Sequence, residues 1–149
     1  MKKALVQALL LVLLSAGAGV AVHFLHPMAP AWYAVQAPPQ EDEVTLEHVQ
    51  SKWKGEVLWL DARTEVLYSL GHIPGARLLN EQGFDNQLFE LIETLQTNAL
   101  PVVIYCGGEK CEASRKIKKR LTESLPVENV WVLKGGWPAW LAVGGAQER

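Results

Sequence analysis

The chemistry on offer in this sequence is concentrated in residues 101–115, PVVIYCGGEKCEASR, which hold both cysteines, Cys106 and Cys111. Val102 to Tyr105 form an apolar and aromatic run rich in branched side chains. It is too short for a buried helix and reads as a central strand ending at Cys106. Gly107 and Gly108 open a loop, after which Ala113, Ile117 and Leu121 take helical spacing. Strand, tight loop and helix in that order aim backbone N–H groups at an anion or thiolate beyond the carboxyl end of a sheet. A cysteine there is a candidate nucleophile, because a nearby helix N-terminus favours the thiolate.

Three further polar residues sit in informative places. Asp61 and Arg63 follow the apolar run Val57–Leu60 and are too close together to pair on a helix face. They pin loop backbone or contact neighbouring loops, and their simplest role is a structural network, since buried charge must be paired. His72 lies in the turn-rich segment Gly71-His-Ile-Pro-Gly-Ala76, where Pro-Gly suits a tight turn. It reads as a hydrogen-bonding residue rather than a general base. The four histidines and two cysteines show no ligand spacing, so no metal and no cofactor is expected.

The elements that must position these residues alternate in type. Thr45 caps a short helix carrying Leu46, Val49 and Trp53 on one face, stopped by Gly55. A strand at Val57–Leu60 and a short run at Arg77–Leu79 follow. Phe84, Leu88, Leu91, Ile92 and Leu95 make one apolar stripe, which predicts a helix over 85–96 packed on the sheet. After the cysteine loop, Lys116, Lys118, Lys119 and Arg120 lie on the solvated face of the next helix. Asn129–Leu133 is a last strand, and Trp137, Trp140 and Leu141 belong to a closing helix that covers the core. Short strands alternating with helices imply an α/β domain with a central, mainly parallel sheet flanked by helices.

A length of 149 residues suits one domain, and 49 % hydrophobic against 20 % charged residues excludes a disordered chain. Without Lys2 and Lys3 the balance is 12 basic to 16 acidic residues, which argues against nucleic acid as a partner. Residues 4–22 carry no charge, and 19 helical residues reach about 28 Å, close to a hydrocarbon core of about 30 Å. The expectation is an N-terminal transmembrane helix over 1–22. It makes the chain a single-pass membrane protein with its C-terminal domain exported, on the periplasmic side if bacterial. A cleaved signal peptide is the rival reading, given the small residues Ser15 to Ala18. Residues 23–43, with four prolines, read as a Pro-rich linker in which Trp32 and Tyr33 rest at the membrane interface or on the domain. The domain then runs over 44–144 and leaves a tail at 145–149.

Four stretches together resemble the rhodanese-like domain family: Leu60-Asp-Ala-Arg63, Gly71-His-Ile-Pro-Gly-Ala76, Val103-Ile-Tyr-Cys106 and Val132-Leu-Lys-Gly-Gly-Trp137 with Trp140. Their order and spacing match across Val44 to Gly144. The resemblance implies a small α/β sandwich with an active-site loop starting at Cys106, in a membrane-anchored single-domain member. It implies a sulfurtransferase in which the Cys106 thiolate takes the outer sulfur of thiosulfate or another small donor. The resulting persulfide passes that sulfur to a thiol acceptor, protein thiols included. Backbone amides from Gly107 and Gly108 through Glu109, Lys110 and Glu112 would cradle the anions, with Lys110 and Arg115 as donor-binding cations.

Two departures from the family pattern matter. Ser114 stands eight positions after Cys106, so the loop is about two residues longer than the compact sulfurtransferase loop, and Glu109 and Glu112 oppose a dianionic donor. The related phosphatases want arginine six residues after the cysteine, where this chain has Glu112, so phosphatase activity is not expected. Cys111 is the second departure. It is a resolving thiol, a permanent disulfide partner of Cys106, or a spare cysteine. An exported dithiol redox protein and an inert rhodanese-like binding module are therefore the alternatives to sulfur transfer.

Overall fold

The computed structural model describes residues 3, 6, 7, 9–15, 17, 38–108 and 112–149, in two compact units, Met1–Pro38 and Pro39–Arg149. In the first unit the described residues up to 17 are helical, and the Ser15 hydroxyl donates to the Val12 carbonyl at 3.0 Å. Among the described residues no helix is long and apolar enough to cross a membrane. Crossing needs about 20 consecutive apolar helical residues. This corrects the transmembrane anchor, and with it the single-pass topology, the exported location and the membrane as a partner. Residues 18–22, the linker over 23–37 and both Trp32 and Tyr33 lie outside the described residues.

Among its described residues the second unit holds five strands and five helices. In chain order they are β1 (Glu43–Val44), α1 (Leu46–Trp53), β2 (Leu58–Asp61), α2 (Glu65–Leu70), β3 (Arg77–Leu78), α3 (Phe84–Thr97), β4 (Val102–Tyr105), α4 (Glu112–Ser124), β5 (Val130–Leu133) and α5 (Gly136–Ala142). The strands form one parallel sheet in the order β1-β5-β4-β2-β3. Central β4 is buried along its whole length, as a parallel strand covered on both faces must be.

Alternation along β4 divides the core in two. Val102 and Ile104 pack with Leu60, Leu91, Leu95, Ile117 and Leu121 under α3 and α4. Val103 and Tyr105 face the other way, with Val49, Trp59, Ile73 and Leu133, and the indoles of Trp53, Trp137 and Trp140 close that side. Buried Phe84, Leu91 and Leu95 are the stripe expected of α3, and the Thr45 hydroxyl caps α1 by accepting the His48 N–H. Lys54 takes the left-handed conformation that ends α1.

Three features differ from expectation. The closing helix covers the core through Trp137 and Trp140, while Leu141 is exposed. Strand β1 begins inside the stretch expected to be linker, and its Val44 carbonyl accepts the Lys134 N–H beside β5. Helix α2 escapes a periodicity reading altogether, since none of its residues is buried. The Thr64 hydroxyl, accepting the Leu67 N–H, holds its start.

Candidate functional site

In a parallel sheet every strand delivers its following loop to the same end, so the residues after β2 and β4 meet. The register pairs Asp61 with Tyr105, and the Ala62 N–H donates to the Tyr105 carbonyl at 2.8 Å. That pairing sets Arg63 beside Gly107, with its Cγ and Cδ within 4 Å of where a Cβ on that glycine would stand.

Asp61 and Arg63 form a buried, tightly bonded pair. The Arg63 amide donates to Asp61 Oδ1 at 2.9 Å, Nε donates to both carboxylate oxygens at 3.0 Å, and Nη2 donates to Oδ2 at 2.6 Å. Nη2 also donates to the Gly71 carbonyl at 2.7 Å, which ties the turn before β3 to the site. The guanidinium lies 4.3 Å over the Trp137 ring and 5.5 Å from that of Tyr105. Burial opposes the charge on Arg63, but the hydrogen bonds and carboxylate of Asp61 outweigh it and the pKa is raised. Burial pushes the Tyr105 phenol far up, and the nearby Asp61 carboxylate adds to the effect.

His72 belongs to a neighbouring network. Its ring stacks on Tyr68 at 3.8 Å, Nδ1 lies 3.0 Å from the Tyr68 carbonyl, and its backbone bridges Glu148 in the C-terminal tail. The Tyr68 hydroxyl donates to the Ala76 carbonyl at 2.8 Å.

Cys106 is 5 % exposed and packs with Val132 and Ala113. Its Sγ donates to the Gly108 carbonyl at 3.3 Å, and its own carbonyl accepts the Trp137 N–H at 2.7 Å. It lines a cleft of about 440 Å³ with Arg63, Leu67, Asn80, Gly107 and Ala113. A second cleft, of about 340 Å³, is lined by Leu70, Gly71, Trp137 and Gln147, and shares Arg63, Leu67 and Gly107 with the first. A third hollow, about 350 Å³, lies among Asn98, Leu100 and Asn129, at the opposite ends of the strands and away from the thiol.

A clear active-site cysteine loop, with amides ringed around a solvent-reachable thiol, is not found among the described residues, which corrects that expectation. The thiol is nearly covered and turned onto a carbonyl, and only Gly107 and Gly108 of the loop are described. Glu109, Lys110 and Cys111 lie outside the described residues, and so does any pairing of Cys111 with Cys106. Glu112 is exposed at the start of α4. Ser114 is fully buried on the face of α4 that also carries Ile117 and Leu121, and its Oγ has no hydrogen-bond partner among the described residues. Arg115 reaches β1 instead of the cleft, donating to Glu43 and lying 3.6 Å from Asp42. No group of three or more His, Cys, Asp or Glu side chains among the described residues is placed to hold a metal.

The sequence reading missed two parts of this arrangement. One is Gly136, whose φ is +52° and whose imagined Cβ would stand 2.3 Å from the Cys106 oxygen. The Gly135-Gly136 pair ahead of Trp137 was the available signal. The other is Leu67 and Leu70 on α2, which no periodicity marked.

The sequence model described as the rhodanese-like domain matches residues 45–143. No curated protein sequence matches the chain. Among solved structures, a thiosulfate sulfurtransferase from Pseudomonas aeruginosa is similar at 26 % identity and TM-score 0.55, over 80 % of this chain and 21 % of that one. The chain thus spans about a fifth of that enzyme's length. The rhodanese-like domain of an Anabaena sp. protein matches at 27 % identity and TM-score 0.54, over 73 % of this chain and 80 % of that one. A 3-mercaptopyruvate sulfurtransferase from Leishmania major shares the fold, at 17 % identity and TM-score 0.54 over 75 % of this chain and 38 % of that one. With two thirds of its residues covered by the family's own pattern, the chain belongs to the rhodanese-like domain family.

Proposed function

We propose that the protein is a sulfurtransferase that carries sulfane sulfur as a persulfide on Cys106. The observation that supports this most is the position of Cys106 at the carboxyl end of central β4, lining a cleft shared with Arg63 and Gly107. In the first step the thiolate attacks the outer sulfur of the donor. A sulfur–sulfur bond forms at Cys106, the donor's own bond to that sulfur breaks, and its electron pair leaves with the rest of the donor, as sulfite when the donor is thiosulfate. In the second step an acceptor thiolate attacks the outer sulfur and regenerates the Cys106 thiolate.

The residues around the sulfur have distinct parts in this reading. The Gly136–Trp137 turn holds the Cys106 backbone through the Trp137 N–H. Gly107 and Gly108 leave room for the added sulfur, because neither carries a side chain. Asp61 and Arg63 position the loop through Gly71 and the Trp137 ring, and His72 secures the turn behind them. Lys110 as a donor-binding cation, and Glu109, Glu112 and Cys111 as loop residues that modulate the thiol, enter from the sequence, whereas Arg115 is engaged at β1. The likeness to a thiosulfate sulfurtransferase supports the same chemistry.

The test is intact-mass analysis of the reduced full chain after exposure to a panel of sulfane-sulfur donors. Wild type and Cys111→Ser gain one sulfur atom, and Cys106→Ser gains none. A wild type that takes up no sulfur from any donor overturns the proposal.

A further inference from the structure

Helix α2 runs Glu65-Val-Leu-Tyr-Ser-Leu70, and its aliphatic side chains are left in solvent, Leu67 at 44 % and Leu70 at 67 % exposure. Single exposed leucines are ordinary on a protein surface. These two are not scattered: Leu67 lines the cleft that holds Cys106, and Leu67 and Leu70 line the adjoining one opposite the Trp137 indole. The two clefts share Arg63, Leu67 and Gly107, so a molecule whose sulfur lies at Cys106 has its body against Leu67, with Leu70 and Trp137 beyond.

Arg63 is the one cationic side chain lining the same clefts among the described residues, and Asp61 neutralises it. Arg115 is held at β1 by Glu43 and Asp42. Glu81, which also lines the first cleft, is paired with the Lys116 ammonium at 3.4 Å. An apolar body beside a sulfane sulfur finds Leu67, Leu70 and Trp137 to pack against.

We infer that the site selects organic sulfane-sulfur donors that carry an apolar group next to the reacting sulfur, through a specificity wall made by Leu67, Leu70 and Trp137. The inference rests on the persulfide reading above. With benzenethiosulfonate as the probe, the Cys106 thiolate takes the terminal sulfur, the bond between the two donor sulfurs breaks, and benzenesulfinate leaves with the electron pair. Charge and atoms balance without an oxidant.

The experiment compares sulfur loading of the reduced full chain by benzenethiosulfonate and by thiosulfate, as a ratio of kcat/KM values. Each rate is referenced to the donor's uncatalysed reaction with a small thiol. Wild type is expected to favour benzenethiosulfonate by tenfold or more, and the Leu67→Ser/Leu70→Ser variant to lose about tenfold of that preference, as changes in an apolar subsite do. Both side chains are exposed, so the variant retains the fold. Phe89→Ser, which removes a surface ring at 79 % exposure on α3 outside both clefts, keeps the wild-type ratio. A ratio unmoved by the leucine substitutions, in a protein that does load Cys106, overturns this inference alone. Failure of Cys106 to load from either donor overturns the transfer reading and this inference with it.

Discussion

The Trp137 amide donates to the Cys106 carbonyl at 2.7 Å, across 31 residues of chain, and this bond fixes the backbone on which the candidate nucleophile stands. It forms because Gly136, at φ +52°, lets the start of α5 approach within contact of β4's end.

Gly136→Ala therefore strikes the site directly. Its Cβ would stand 2.3 Å from the Cys106 oxygen, and its backbone conformation costs an alanine roughly 1–3 kcal/mol besides. The expected outcome is a lower urea midpoint and sulfur loading slowed by about a hundredfold, the usual consequence of moving a reacting atom by about 1 Å. Gly75→Ala is the matched control. It shares a positive φ of +75° but meets no atom within 4 Å, so it loses some stability and keeps its loading rate.

The Asp61–Arg63 pair is predicted to be worth far more intact than halved. Asp61→Ala leaves a guanidinium buried without its carboxylate and is expected to cost about 3–5 kcal/mol in urea unfolding. Asp61→Leu/Arg63→Met removes both charges, and should recover much of that loss. A double variant as unstable as the single one would show that the pair is not the source of the cost.

Tyr105 links stability to alkaline pH. Its folded pKa is raised, by burial first and then by Asp61, so the folded state holds the phenolic proton after the unfolded chain has lost it. Stability is then fully present below the ordinary tyrosine value of about 10 and falls above it by about 1.4 kcal/mol per pH unit for this group. Urea titrations between pH 9 and pH 11 (roughly the window around that value) should show this slope in wild type and a shallower one in Tyr105→Phe.

The same substitution has a cost at neutral pH. The Ile73 N–H donates to the Tyr105 hydroxyl at 3.2 Å, and Tyr105→Phe strands that buried amide. A loss of about 1–3 kcal/mol is expected. Hydrogen exchange at Ile73 that rises by more than the lost stability gives the sheet amides would confirm the local origin.

Parts of this architecture were legible in the chain because their causes are local. Val102–Tyr105 reads as a central strand since a parallel strand covered on both faces needs an unbroken apolar run. Thr45 and the stripe through Phe84, Leu91 and Leu95 announce α1 and α3 by capping and periodicity. The four separated stretches ending at Trp137 and Trp140 were enough to show the family, later matched over 45–143. Periodicity failed at α2, whose residues have no buried face to repeat. Apolar composition misled at the N-terminus, where it suggested a spanning helix that the described residues do not contain.

Cys106 could be singled out from its place after a strand, but its surroundings could not. Sheet order, set by packing among distant segments, puts β2 beside β4 and so brings Arg63 to Gly107. The closing turn brings Gly136 against the Cys106 carbonyl, and the exposed leucines of α2 meet Trp137 across the neighbouring cleft. Residue types and short-range spacing determine which strands and helices can form and which atom is the candidate nucleophile. Which side chains surround that atom depends on contacts between segments tens of residues apart, and those exist only once the sheet has assembled.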